Sequence, residues 1–251
     1  MEAMKVITIH SFKGGTGKSL IATNLAVLYA VKGHSTCLVD MDFRAPTLHV
    51  AFDPQQVKYW FNDYLDGKCS EEEVLVELSE KLGLKAKFSV AFANPSPEAI
   101  REMMAKPPSW ESHALRKLLD FTRKLEKLGY EYCVIDTSPG YLYSSINALV
   151  AADVAIVIST TDDSDIEGTR RMLSELYRLL ERRVSVVINK VVGDLEEVIK
   201  SLREKIGEEV AGAITCSCDI TRRTRRVIYA IEEPNHPFIK ELENIATKTV
   251  D

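Results

Sequence analysis

The sequence has no apolar run that approaches the roughly 20 residues a helix needs to cross a bilayer. It also lacks the layout of a secretory signal peptide, because the opening MEAMKVITIH enters a strand-like run directly. We therefore expect a cytoplasmic protein.

Cysteine is scarce and basic charge is not in excess. The five cysteines are odd in number and widely scattered, which argues against a secreted disulfide framework, and only Cys216 and Cys218 are close together. The formal net charge of -5 argues against a surface that is basic all over, although a local basic patch remains compatible with it.

The remainder of the sequence suits a folded α/β protein of 251 residues, 45% of them hydrophobic. Apolar, strand-like runs alternate with helix-like segments, a pattern typical of a mostly parallel sheet covered by helices on both faces. We predict a three-layer α/β/α fold of this kind. The predicted strands are residues 5–9, 35–42, 132–136, 154–160, 183–190 and 210–215.

Helix boundaries carry their own signals. Apolar residues with helical spacing follow residue 18 and stop at Gly33, which favours a helix over 18–33. Ser164 with Glu167, and Asp194 with Glu197, have the spacing of capping boxes and predict two further helix starts.

Residues 54–120 fit the alternation less well. They indicate short helices over 58–67, 70–83 and 96–110 around a candidate strand at 87–93, with prolines marking loops. We interpret this segment as an irregular embellishment of one domain that spans residues 1–251.

The stretch HSFKGGTGKS, residues 10–19, resembles a phosphate-binding loop between a strand and a helix. Glycines at 14, 15 and 17 allow a tight turn whose N–H groups point at phosphate oxygens, and the following helix adds its positive N-terminal end. Lys18 would reach the β- and γ-phosphates, and Ser19 would ligate Mg²⁺. Phe12 stands where the generic pattern has glycine, so the loop is either decayed or specialised.

Acidic residues end two of the predicted strands. Asp136, in VIDTSPG, is placed to hold Mg²⁺, and Gly140 of the same stretch would let the loop move on hydrolysis. In LVDMDFRAP, Asp40 and Asp42 face the same way, and Asp42 is better placed to orient water or contact the metal shell.

Together these stretches resemble the ParA/MinD family of deviant Walker P-loop ATPases. The family signature K-G-G-x-G-K-[ST] matches residues 13–19, its D-x-D switch matches 40–42, and its second switch matches 136–140. Asn24 also matches an asparagine common on the family's first helix.

The resemblance implies an ATPase with Mg²⁺ that forms a homodimer on ATP binding, in which Lys13 reaches the partner's phosphates. It implies slow hydrolysis stimulated by a further protein. Lys13, Lys18 and Asp42 take catalytic roles, and Ser19, Asp42 and Asp136 hold the metal. The nucleotide-binding residues are Lys13, Gly14, Gly15, Thr16, Gly17, Lys18, Ser19 and, at the adenine edge, Asn189.

Two stretches depart from the family pattern. Where the family has Ile-Pro-x-Asp near the base, this chain reads ITCSCD over 214–219, and Asp162-Asp163 replaces the family's Pro-Glu.

The cargo of such a switch is DNA if the basic run TRRTRR binds phosphates through Arg222, Arg223, Arg225 and Arg226. On one helix, Arg222, Arg225 and Arg226 would share a face, with Val227, Ile228 and Ile231 toward the core. The alternative is an ordinary solvated face paired with glutamates.

Other functions stay open. Cys216 and Cys218 could form a four-sulfur site across a symmetric dimer for metal or Fe–S cluster delivery. An ATP-dependent ligase of the dethiobiotin synthetase type is a further alternative. Membrane targeting is disfavoured, because residues 237–251 have one short apolar stripe typical of a helix docked on the core.

Overall fold

The computed structural model describes residues 3–180, 183–223 and 227–250. Its centre is an eight-stranded sheet with the order β3-β4-β2-β5-β1-β6-β7-β8. All neighbouring strands are parallel except β3 and β4. The strands are β1 Lys5–His10, β2 Thr36–Met41, β3 Val76–Glu77, β4 Phe88–Ala91, β5 Tyr132–Thr137, β6 Val154–Ser159, β7 Arg183–Val191 and β8 Val210–Thr215.

The helices lie in the connections between these strands. They are α1 Lys18–Val31, α2 Leu48–Phe52, α3 Phe61–Leu65, α4 Pro97–Met104, α5 Pro108–Lys127, α6 Tyr143–Ala151, α7 Asp163–Met172, α8 Arg178–Leu180, α9 Leu195–Ile206, α10 Cys218–Arg222, α11 Tyr229–Glu232 and α12 Pro237–Thr249. A single π-helical segment, Leu173–Tyr177, joins α7 to α8.

Helices cover both faces of the sheet, as predicted, because successive side chains of a strand point to opposite sides. In β5, Val134 belongs to the hydrophobic cluster formed with α1 and α12. Its neighbours Cys133 and Ile135 belong to the opposite cluster, formed with α3 and α5. The three-layer α/β/α prediction is confirmed, and each of the six predicted strands is present.

The sequence signals at α1 also hold. Ile21, Leu25 and Leu28 recur at helical spacing and are buried against the sheet. The chain leaves the helix at Gly33, whose φ of 98° lies in the left-handed region where glycine carries no steric penalty.

The predicted helix over 70–83 is wrong. Val76 and Glu77 form β3, which pairs antiparallel with β4, and the buried Val74 and Leu78 flank it at two-residue spacing. The apolar residues of this stretch therefore follow the period of a strand, and the sheet edge provides the partner that stabilises it.

One of the two predicted capping boxes is misplaced. Asp162, not Ser164, caps α7, because its side chain accepts a hydrogen bond from the Asp165 backbone N–H at 3.0 Å and the helix begins at Asp163. The other cap, Asp194, accepts from the Glu197 N–H at 2.9 Å as predicted.

The segment 54–120 builds one edge of the sheet. The predicted strand at 87–93 is confirmed as β4, which lies between β3 and β2. Helices α3 and α4 fall within predicted ranges, but α5 is long, with 20 residues. The continuity of the sheet supports our proposal that the chain is one domain.

Candidate functional site

The candidate phosphate loop follows β1, which lies between β5 and β6 in the sheet. Open parallel sheets bind ligands beyond the carboxyl ends of such neighbouring strands. Gly15 and Gly17 have φ values of 78° and 99°, which lie in the left-handed region. A Cβ on Gly17 would lie 2.3 Å from Nδ2 of Asn189, so only glycine fits at that position.

The end of β7 holds this loop in place. Asn189 Nδ2 donates to the Thr16 carbonyl at 2.7 Å, and Lys190 Nζ donates to the Gly15 carbonyl at 2.6 Å. Lys190 has a φ of 60°, which is uncommon for a residue with a side chain and recurs at functional sites. Sequence reasoning missed Lys190, because its reach to the loop depends on how β7 packs beside β6.

Lys18, at the start of α1, points into the protein. It is only 5% exposed and its Nζ donates to Ser11 Oγ at 3.0 Å. Burial lowers the pKa of Lys18, whereas the charges of Asp136 and Asp42 oppose that shift. The loop therefore holds a cation in a prearranged position beside two carboxyl groups.

The predicted acidic residues meet beside Lys18. Asp40 and Asp136 are register partners on β2 and β5. Both carboxylate oxygens of Asp136 are buried and lack a partner in good hydrogen-bond geometry within the described residues. Burial raises the pKa of Asp136 to about 7, against the opposing effect of the nearby Ser19 hydroxyl. Burial also raises the pKa of Asp40, with Asp136 adding to the shift.

Asp42 belongs to the same cluster and is only partly buried. Its Oδ1 accepts from Ser138 Oγ at 2.7 Å and from the Ala45 N–H at 3.2 Å. The residue thus connects the loop after β2 with the loop after β5, which the sequence predicted to be the two switches.

This set of oxygens fits a hard cation such as Mg²⁺, because buried carboxylate oxygens without partners are what such an ion satisfies. Within the described residues, no group of three or more His, Cys, Asp or Glu side chains is arranged to hold a metal ion. Mg²⁺ at this place would therefore be shared with phosphate oxygens, as in nucleotide sites that hold the ion through one or two carboxylates.

An open cleft of about 420 Å³ lies above the loop. Its walls come from the loop glycines, from Asp42 and Arg44 after β2, and from Lys190 after β7.

Lys13, unlike Lys18, has an exposed side chain. Its side chain is 41% exposed, and its Nζ lies 2.8 Å from Asp162 Oδ1 and also donates to Ser164 Oγ. The Lys13 ammonium holds the pKa of Asp162 well below its usual range. The sequence departure at Asp162 thus supplies the partner of the signature lysine within the same chain.

Phe12, which replaces the glycine of the generic loop, packs against α7. Its ring packs on α7 where Gly168 leaves space, since a Cβ on Gly168 would lie 2.1 Å from the ring. The loop is therefore specialised for contact with α7, and its glycine turns are intact.

A comparison with family models matches residues 7–226 to the CobQ/CobB/MinD/ParA nucleotide binding domain. That match covers most of the chain. The chain belongs to this family.

The chain is similar to the septum site-determining protein MinD of Thermotoga maritima, at 23% identity over 97% of this chain and 87% of that protein. Among solved structures, MinD of Pyrococcus horikoshii complexed with Mg-ADP superposes with a TM-score of 0.76 at 17% identity, covering 97% of this chain and 94% of that one. A Borrelia burgdorferi B31 protein described as a plasmid partition protein, bound to AMPPNP, gives 0.76 at 22% identity over 98% of each chain. The predicted resemblance to the deviant Walker ATPases is confirmed.

The basic run that we predicted to bind DNA lies only partly within the described residues. Arg222 ends α10 and Arg223 is extended, and both are exposed. Arg223 pairs with Glu233. Arg225 and Arg226 lie outside the described residues.

We predicted one helix that carries these arginines on one face. That prediction is wrong at Arg223, which is extended directly after the end of α10. The expected apolar contacts are confirmed: Ile228 is buried, and Val227 and Ile231 pack against the core.

Two further predictions for this MinD/ParA-type chain concern the cysteines after β8 and the helix α12. Cys216 and Cys218 are free and exposed just after β8. The apolar stripe of α12 packs on the core as predicted, and Gly212 of β8 makes room for Ile245, since a Cβ there would lie 2.6 Å from Ile245 Cγ1. Within the described residues, no helix has the length and apolar character needed to cross a membrane.

Proposed function

We propose that the protein is an ATP-dependent dimerisation switch that positions a cargo in the cytoplasm. The observation that carries the proposal is the unequal placement of the loop's two lysines. Lys18 is buried beside Asp136, whereas Lys13 is at the surface and paired with Asp162.

Nucleotide phosphates lie against the loop backbone in this proposal. The residues that hold them are Gly14, Gly15, Thr16, Gly17, Lys18 and Ser19. The Oγ1 hydroxyl of Thr16 is buried and has no partner in the described residues, so it is available to a phosphate oxygen. Ser19, Asp42 and Asp136 hold Mg²⁺, which neutralises phosphate charge when bound.

Asn189 reads the adenine edge in the same proposal. Its Nδ2 already donates to Thr16 and its Oδ1 accepts from the Lys190 N–H at 2.8 Å. A carboxamide has two donor hydrogens and two acceptor lone pairs, so one of each remains for a base.

Lys13 acts across the interface between two copies. A cation supplied by the second subunit stabilises the charge that develops on the transferred phosphoryl group, as an arginine finger does. Hydrolysis then requires the dimer, with Asp42 orienting the water. We expect slow turnover in the free protein, stimulated by a partner protein.

Sedimentation velocity tests this proposal directly. In Mg²⁺ the wild type should be monomeric with ADP and dimeric with ATP, and Asp42→Ala should keep the dimer after the wild type has returned to monomer. A sedimentation coefficient that is the same with ATP and ADP, in both proteins, would contradict the switch.

For the cargo we propose DNA, bound through Arg222, Arg223, Arg225 and Arg226. The observation that favours it is the exposure of Arg222 and Arg223, and Arg223 would have to leave Glu233 to contact a phosphate. Relatives named for cell division and for plasmid partition both exist, so a MinD-like positioning role without DNA is the competing outcome.

DNA affinity measured over a series of salt concentrations, with and without ATP, distinguishes DNA binding from a positioning role without DNA. If the four arginines contact phosphates, replacing them with alanine should lower the slope of log K against log salt by about 3 to 4. The matched control replaces Arg170 and Arg171 of α7, which are exposed and paired with Glu167. Equal slopes in the two variants would refute DNA binding through this run.

A further inference from the structure

The last residue of β1, His10, is completely buried and lies directly before the phosphate loop. Its Nε2 is 2.9 Å from the carbonyl oxygen of Gly140, and its Nδ1 is 2.6 Å from the hydroxyl of Tyr177. The imidazole therefore connects the loop after β5 with the π-helical segment after α7.

The chemistry of the partners fixes how the hydrogens are arranged. A carbonyl oxygen can only accept, so His10 Nε2 carries the hydrogen and donates it to Gly140. The neutral imidazole then accepts at Nδ1, and the Tyr177 hydroxyl donates to it. Burial lowers the pKa of His10 to about 4, which is consistent with a neutral ring.

Gly140 is attached to β1 through both of its backbone polar groups. Besides accepting from His10, it donates its N–H to the Ser11 carbonyl at 2.8 Å. Its φ of 76° is left-handed, and it lies in the loop that follows β5, the strand of Asp136, together with Ser138. A shift of this loop therefore has to break or carry with it the hydrogen bond from His10.

Tyr177 extends this connection to a helix that touches the phosphate loop elsewhere. The continuous run from α7 through the π-helical segment carries Gly168 against Phe12, and its cap Asp162 pairs with Lys13. Tyr177 is 3% exposed, so its ring is fixed by packing. Single π-helical turns of this kind recur at functional positions in helices.

We propose that His10 is a positioning residue which, held in one tautomer by Gly140 and in one orientation by Tyr177, couples the Gly140 loop to α7 and so sets the preference for ATP over ADP. This inference rests on the proposed function, because it assumes that the Gly140 loop responds to the γ-phosphate. His10 does not touch the reacting atoms in this proposal, and it acts through Gly140.

Tyr177→Phe is the decisive variant, since it removes the hydroxyl that connects the imidazole to the π-helical segment and keeps the buried ring. Tyr130→Phe is the matched control: Tyr130 is also 3% exposed, and its hydroxyl donates to Ser89 Oγ at 2.7 Å, away from the loop. His10→Gln is the second variant, because glutamine can place a donor near the Nε2 position without an acceptor for Tyr177.

Two measurements are made on each folded variant in Mg²⁺. Dissociation constants for ADP and for a non-hydrolysable ATP analogue give the nucleotide preference, and ¹⁵N NMR of the imidazole gives the His10 tautomer. Loss of one hydrogen bond predicts a preference reduced roughly 3- to 10-fold in Tyr177→Phe. We expect the hydrogen on Nε2 in the wild type and in Tyr177→Phe, because Gly140 still accepts from it. We also expect an unchanged preference in Tyr130→Phe and a partly retained one in His10→Gln.

The outcomes separate the two proposals. If the wild type prefers the ATP analogue but Tyr177→Phe and Tyr130→Phe share that preference, the coupling is overturned and the switch stands. A His10 ring with its hydrogen on Nδ1 in the wild type also overturns the coupling. A wild type that binds both nucleotides equally overturns the switch, and the coupling with it.

Discussion

Lys13 and Lys18 lie five residues apart on one loop and meet opposite environments. Lys18 is 5% exposed and directed at the carboxylates of β2 and β5, whereas the Lys13 side chain is 41% exposed and paired with Asp162. A buried cation that is held before the ligand arrives loses little entropy on binding, which suits a permanent phosphate contact.

The exposed lysine has the opposite property. A surface ion pair is worth only about 0 to 1 kcal/mol, so its contact with Asp162 can be exchanged at small cost for a phosphate supplied by another subunit. The same residue type is therefore suited to a fixed role at one position and to an exchangeable role at the other.

Removing the exposed lysine should produce the largest effect. We expect Lys13→Ala to bind ATP with an affinity within about threefold of wild type but to lose the ATP-dependent dimer, and its turnover should fall roughly 1,000-fold, as when an arginine finger is removed. Sedimentation velocity and phosphate release measure the two effects. Lys32→Ala, at a surface lysine that is 42% exposed and paired with Glu243, is the control. A dimer that persists in Lys13→Ala would show that this lysine does not act across subunits.

Removing the buried lysine should reverse the pattern. In Lys18→Gln the monomer itself should bind ATP roughly 10- to 100-fold more weakly, because a charged hydrogen bond to phosphate is lost. Calorimetric titration of ATP in Mg²⁺ measures this change. Equal ATP affinities for Lys13→Ala and Lys18→Gln would remove the distinction between the two lysines.

The burial of His10 predicts that the free energy of unfolding depends on pH. In the unfolded chain this histidine takes up a proton below about pH 6.5, but in the folded protein only below about 4. Lowering the pH through that window therefore favours the unfolded state, and the free energy of unfolding should fall by up to about 3 kcal/mol from this group alone.

His10→Gln isolates that contribution from other titrating groups. As the pH falls from 6.5 to 4, the free energy of unfolding of the wild type should decrease more than that of this variant. Denaturant titrations at several pH values measure both. His34→Gln, at a partly exposed histidine paired with Glu131, shows how much any histidine substitution contributes. A pH-independent difference for His10→Gln would mean that burial does not suppress protonation.

The smallest effect is expected at Asp162. Asp162→Asn keeps an oxygen that can cap α7 and removes the charge that holds Lys13. Release of Lys13 should tighten the ATP-dependent dimer by up to about fivefold, since the ion pair is exposed. Equilibrium sedimentation with ATP measures the dimer constant, and a weaker dimer would mean that Asp162 supports the interface.

The confirmed predictions, which are the fold class and the family, rest on local signals. The glycines, Lys13, Lys18 and Ser19 occur in one short stretch between a strand and a helix, so their grouping follows from chain connectivity. The misplaced cap of α7 was also a local feature, but the wrong helix over 70–83 required non-local information. Residues 70–83 have helix-like composition, but β4 offers a free edge that converts Val76 and Glu77 into a strand.

The sequence by itself determined the alternation of strands and helices, the phosphate loop and the family, because periodicity and glycine placement are properties of neighbouring residues. Only the tertiary structure decided that Asp162 pairs with Lys13, that Gly168 leaves room for Phe12, and that His10 links Gly140 to Tyr177. These contacts join residues 130 to 167 positions apart, and their formation depends on the order in which β5 and β6 flank β1.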